Sequence, residues 1–225
     1  MDEIVCANTA FRYWRCPPQV RNLYPRLPNS EDGWRALSQA PFVTEVLKTP
    51  IIAVASPGCC NHHSGLRSTI RWEGASDTGT TTDTHLGFSV TNPLNTLFTM
   101  TRFVSQIDLV LAMYELCGWF SVFEPTPAVE MQLKIALKKN RNSSTQDLFE
   151  LGEGEDEIPW KRVYARTTVK VPANEGQTNN REDGREVTKL KGTSLWMRKP
   201  LIELSDLHRF AEKVKSQMWG KQFYD

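Results

Sequence analysis

Three helix starts written in similar local chemistry constrain this chain more than any other feature. Asn92-Pro93 puts a capping amide before a proline whose missing N–H costs nothing in a first turn. Ser105 stands before Gln106–Cys117 with Gly118 at the end, and Thr126-Pro127 repeats the cap-plus-proline start for Ala128–Lys139. Behind each start, apolar or small residues recur at helical spacing. Leu94, Leu97, Phe98 and Thr101 form the first set, Ile107, Val110, Leu111, Tyr114 and, less strictly, Cys117 the second, and Val129, Leu133, Ala136 and Leu137 the third. Each set is expected to face inward.

The remaining pattern is mixed. Ile4–Arg15 has apolar positions at 7, 10, 11 and 14, which predicts a helix capped by Asn8 or Thr9 and stopped by Pro17-Pro18. Val20–Leu37 reads as irregular and Pro41–Leu47 as one short helix. Ile51–Ala55 is a β-branched run expected as a buried strand, with further strands at Gly65–Trp72 and Leu86–Val90 and a loop at Gly74–Thr84. Alternation over Arg162–Val171 predicts a strand, and Thr188–Trp196 returns as its hairpin partner. Ser205 is expected to cap a last helix reaching Trp219, with Leu207, Phe210, Val214 and Met218 inward. The fold class is therefore α+β, a small mixed or antiparallel sheet packed against a helical cluster, with a C-terminal hairpin and helix. The expected division is a module over 1–140, a polar acidic linker over 141–160, and a hairpin-plus-helix unit over 161–225 packed on the module.

With 27 Lys and Arg against 26 Asp and Glu, the net charge of +1 supplies no global field toward nucleic acid or anionic lipid. The hydrophobic fraction of 40% excludes wholesale disorder. No apolar run approaches the roughly 18 residues needed to span a bilayer, and Met1-Asp2-Glu3 does not open a signal peptide, so no membrane role and a cytoplasmic location are expected. Five cysteines without framework spacing fit reduced thiols, with Cys6 and Cys117 read as small core residues.

Two constellations carry candidate chemistry. Cys59-Cys60-Asn61-His62-His63 offers thiolates and imidazoles, with His85 and Cys16 as recruits, for a metal site; Glu73 or Asp77 would orient a Cys–His pair. Adjacent ligands cannot easily face one ion, so a polar turn is the simpler reading of Cys59, Cys60, His62 and His63. Arg12, Arg15, Arg21 and Arg26 interleave with Tyr13, Trp14 and Tyr24, the residue types that grip phosphates and stack on bases. Lys138 and Lys139, with Lys134 and Arg141, form a second basic group at a helix end. No glycine-rich phosphate loop and no nuclease spacing appears, and no cofactor is implied.

Two segments also resemble a known family. Ile4-Val-Cys-Ala-Asn-Thr-Ala10 is similar to the apolar-Ser-His-x-Ser-Ala-Ala helix start of AbiEi-type antitoxins of type IV toxin–antitoxin systems. Val90-Thr-Asn-Pro-Leu-Asn-Thr-Leu97 resembles that family's Val-Thr-Ser-Pro-x-Arg-Thr-Leu-x-Asp start, and Val90–Gly118 looks like bacterial proteins joining this module to a nuclease-like domain. The likeness spans about residues 4–140. The family's histidine, arginine and acidic residue fall at Ala7, Asn95 and Thr99, so those roles do not transfer. The resemblance implies a regulatory or binding protein without enzymatic activity, contacting a cognate toxin protein or nucleic acid. The rival readings are a metal- or thiol-dependent hydrolase built on the Cys/His cluster, and a structural partner domain.

Overall fold

The computed structural model describes residues 4–27, 38–55, 64–72, 79–139, 160–171 and 185–215, with 136–139, 167–171 and 185–190 described through the backbone. Five strands make a mixed sheet: β1 (Ile4–Val5), β2 (Ile51–Val54), β3 (Arg67–Ile70), β4 (Thr81–Asp83) and β5 (Ser89–Thr91), in the order β3-β2-β1-β5-β4. β1 runs antiparallel to β2 and parallel to β5, so a two-residue strand closes the middle of the sheet. Apolar clusters cover both faces of the sheet there. Ile51 joins one hydrophobic cluster with Val5 and Val90, while Ile52 and Val54 join another with Ile70. Alternate residues of β2 thus face two cores, which is why all four are buried.

Helix α1 (Ala7–Arg15) is shared by those cores, giving Ala10 and Tyr13 to the first and Ala7 and Phe11 to the second. The second core also receives α3 (Pro93–Met100), α4 (Gln106–Cys117) and α6 (Leu204–Val214), the first of these preceded in chain order by the short α2 (Pro18–Arg21). A second sheet, antiparallel throughout, has the order β6-β8-β7, with β6 (Phe120–Val122), β7 (Lys161–Val171) and β8 (Arg185–Met197). Helix α5 (Pro127–Lys139) runs between β6 and β7 in the chain and buries Val129 in the first core. The α+β class and the C-terminal hairpin and helix are as the sequence predicts.

Local chemistry explains the ends. Asn92 accepts the Asn95 N–H at 2.8 Å, Ser105 accepts that of Asp108 at 3.2 Å, and Thr126 accepts that of Val129 at 3.3 Å. The chain start departs from expectation. Ile4–Val5 is a strand rather than helix, and Cys6 stands at the N-cap without a side-chain bond, so neither Asn8 nor Thr9 caps α1. The turn is made instead by Ala7 at φ +50°, whose N–H donates to Thr99 Oγ1 at 3.0 Å. Thr9 spends its hydroxyl on the Ile52 N–H at 3.0 Å, tying helix to sheet.

Other boundaries move for similar reasons. Thr81–Asp83, expected as loop, pairs with Ser89–Thr91, and the expected strand at Leu86–Val90 begins only at Ser89 because Gly87 turns the chain at φ +90°. Of Gly65–Trp72 only Arg67–Ile70 pairs, and Val20–Leu37 begins in the tail of α2. Val43–Leu47 winds as a π-helix, ending where Lys48 takes φ +61°. Ser205 lies inside the first turn of α6, which starts after Glu203 and makes no side-chain cap.

The largest correction concerns α4. Ile107, Leu111 and Tyr114 are 74%, 61% and 70% exposed, and Val110 is exposed with them. The buried residues are Leu109, Ala112, Glu115 and Leu116. The helix is apolar nearly all round, so periodicity alone leaves two stripes to choose between.

Candidate functional site

Buried Glu115 explains why α4 turns the way it does. Arg15, from α1, donates Nε at 2.9 Å and Nη2 at 2.7 Å to the Glu115 carboxylate, a forked pair across 100 residues of sequence. Ser121 Oγ and the Val122 N–H donate to Glu115 Oε1 at 2.9 and 3.1 Å. Buried Arg198 donates Nη2 to the Glu115 carbonyl at 2.8 Å, and burial lowers its pKa to about 10 despite the opposing pull of that carboxylate. Trp160 lies under the Arg198 guanidinium at 5.2 Å. These contacts pin α1, α4, β6 and the segment after β8 together. They leave the carboxylate saturated with donors, which suits a structural centre.

The N-terminal arginines are also turned to internal partners. Arg12 donates Nη1 to the Leu47 carbonyl at 2.7 Å, closing the π-helix, and burial lowers its pKa with Arg15 adding to the effect. Besides its carboxylate, Arg15 covers the Phe11 ring at 4.5 Å, and Arg21 covers Tyr13 at 4.4 Å. Arg26 lies against Gly87, where a Cβ would sit 2.7 Å from its Nε. Trp14 faces inward too, with Nε1 donating to the Thr91 carbonyl at 2.8 Å. The side chains of Lys138 and Lys139 lie outside the described set.

Cys59, Cys60, His62 and His63 lie outside the described residues, as do Glu73 and Asp77. Of their expected recruits, His85 is exposed with Nε2 3.4 Å from the Arg21 carbonyl, whereas Cys16 is fully buried. Among the described residues, no three His, Cys, Asp or Glu side chains gather as a metal site. None of the described helices is long and apolar enough to cross a membrane.

The segments that resemble the antitoxin family pack on one another. Ala7 meets Thr99 through the 3.0 Å bond, and Thr99 Oγ1 donates to the Asn95 carbonyl at 2.8 Å. Thr91 and Thr96 share a buried hydroxyl contact of 2.7 Å beside them. This junction holds hydroxyls and amides but no charged group.

Burial pushes up the thiols of Cys6 and Cys16 and the phenols of Tyr13 and Tyr24, from ordinary values of 9.0 and 10.0. Above those values the unfolded chain sheds protons that the folded chain keeps, so their contribution is complete below about pH 9 and falls as pH rises. Arg198, lowered to about 10, acts in the opposite sense above that pH and offsets part of the loss. The urea midpoint is expected to be level from about pH 7 to 8.5 and lower by about pH 10.5. A midpoint that does not fall over that interval contradicts this burial pattern.

What the sequence reading missed is an apolar surface. On the second sheet, Phe120 pairs with Met197 and Val122 with Leu195, and all four are exposed; Ser121 and Trp196, on the alternate positions, are buried. The Phe120 ring packs close over Gly118, joining this sheet face to the end of α4, and Tyr114 and Trp119 on either side of Gly118 in the sequence are exposed. With Ile107, Val110 and Leu111, nine large apolar side chains are presented, about half exposed on average. At ~150–250 Å² for a whole large side chain, that is on the order of 1,000 Å². Patches on monomers seldom exceed about 300–600 Å². No protein-family model, curated protein or solved structure matches the chain.

Proposed function

We propose that this chain is a non-enzymatic binding module of a regulatory protein, working through protein docking on the apolar face of α4, β6 and β8. The single observation that carries this reading is the outward turn of Ile107, Leu111 and Tyr114 beside an outward apolar sheet face. The occupant is a second copy of this chain. About 800 Å² per partner makes a standard interface, and the face offers on the order of that area. Its exposed ions are few and of opposite sign, Asp108 on the helix and Lys161 opposite Met197 at the sheet edge. The helix contributes only Asp108 as an exposed ion, and Ser105 Oγ donates to that carboxylate at 2.7 Å. Two copies related by a two-fold axis therefore meet without like-charge repulsion.

The likeness of Ile4–Ala10 and Val90–Leu97 to AbiEi-type antitoxins is what supports a regulatory rather than catalytic role. The test is the mass in solution. Sedimentation of the full chain between about 1 and 100 µM is expected to show a species of twice 25.7 kDa, growing with concentration. A single 25.7 kDa species throughout overturns the docking reading.

A further inference from the structure

We infer that the outer part of the β7–β8 hairpin is a ribbon that binds the phosphate backbone of duplex DNA along its major groove. The third strand of this sheet, β6, reaches only Leu195–Met197, whereas β7 and β8 remain paired from Tyr164↔Gly192 to Val171↔Arg185. Eight residues of each edge therefore run on as two strands alone, ~27 Å at about 3.4 Å per residue. Among its described side chains, this extension contributes nothing to either hydrophobic core.

Its charge is unlike that of the rest of the molecule. Its sixteen residues carry Arg166, Lys170, Arg185, Lys189 and Lys191 against Glu186 alone, a net +4. The whole chain is +1, so everything outside this extension sums to −3. Arg162 is used internally, bonding Glu130 and the Thr193 carbonyl, but Lys161, Arg166 and Lys191 are exposed. Exposed Tyr164 adds an aromatic ring at the base of the ribbon.

Shape selects the partner. Two strands lie about 4.8 Å apart, and the B-form major groove, roughly 12 Å wide, admits a two-stranded ribbon with its side chains. The major groove of A-form RNA is too deep and narrow for such readout. Neutralised phosphates release counterions, which makes the attraction steeply salt-dependent. This assigns nucleic-acid contact to the hairpin, whereas Arg12 and Arg15 are committed to the Leu47 carbonyl and to Glu115.

Fluorescence anisotropy of the full chain with a labelled DNA duplex of about 20 base pairs tests it. On the order of four phosphate contacts predicts a slope of log affinity on log salt near −4, or roughly 10²-fold weakening between about 50 and 200 mM salt. R166E/K191E is expected to weaken binding at least ~10-fold and flatten that slope by about 2, with the neutral R166Q/K191Q intermediate. R209E/K213E, an equal charge change at exposed sites on α6, is expected to stay within about two-fold of the parent. An RNA duplex of the same sequence binds more weakly. Absence of salt-dependent binding, equal losses in the two charge-reversed proteins, or equally tight binding of polyglutamate, as for an acidic protein partner, overturns the assignment.

Discussion

Replacing Glu115 with alanine is expected to lower the unfolding free energy by about 3 kcal/mol, the range for breaking a buried, hydrogen-bonded ion pair. Its side chain is 6% exposed, and its carboxylate takes donors from Arg15, Ser121 and Val122. Arg15 is 36% exposed, so water recovers part of its solvation when the partner is lost, which discounts the Coulombic share. The larger cost falls on the Ser121 hydroxyl and Val122 N–H, left without an acceptor at ~1–3 kcal/mol each before relaxation. Glu115→Gln keeps a carbonyl oxygen for those two donors and forfeits the charge, so its loss is expected at about half. Urea unfolding of the three proteins distinguishes these outcomes. An alanine variant within about 0.5 kcal/mol of the parent shows that the cluster does not hold the four segments together.

The second large effect concerns association rather than folding. Leu111→Glu with Tyr114→Glu places two carboxylates in the centre of the apolar face, and across a two-fold axis they become four. The dimer dissociation constant is expected to weaken at least 100-fold, or ~3 kcal/mol. Both side chains are more than half exposed in the single chain, so its thermal midpoint under dissociating conditions should move little. Sedimentation and thermal unfolding separate the two. Unchanged self-association removes α4 from the interface, and collapse of the monomer's midpoint shows that these residues serve the core.

How far the sequence foretold this arrangement depends on the range of the interaction involved. Helix starts at Asn92, Ser105 and Thr126 are legible because cap and recipient N–H lie three residues apart. Which side of α4 is buried is not legible in the same way. The stripe through Leu109, Ala112 and Leu116 runs beside Glu115, and a carboxylate ordinarily marks a solvent face. Arg15, 100 residues earlier, makes that stripe buriable together with the Ser121 hydroxyl and Val122 N–H, and nothing local announces the ion pair. The same distance hides the start of the chain, where Ile4–Val5 is a strand because β2 and β5 stand on either side of it. The arginine–aromatic alternation at Arg12–Tyr24 was visible, but the partners that occupy Arg12, Arg15 and Arg21 come from Leu47, Glu115 and the faces of Phe11 and Tyr13. The hairpin was visible from alternation. That it outruns its third strand follows only from the register with β6.

Hydroxyl-radical footprinting at two protein concentrations locates the interface residue by residue, because tyrosine, tryptophan and methionine report their own exposure. Tyr114, Trp119 and Met197 are exposed and belong to the proposed docking face, whereas exposed Met131 on α5 is not counted in it. Between about 0.5 and 50 µM, a concentration span that fills a micromolar dimer, Tyr114, Trp119 and Met197 are predicted to lose reactivity together while Met131 stays constant. Equal reactivity of Tyr114, Trp119 and Met197 at both concentrations contradicts the claim that this face receives a second copy of the chain.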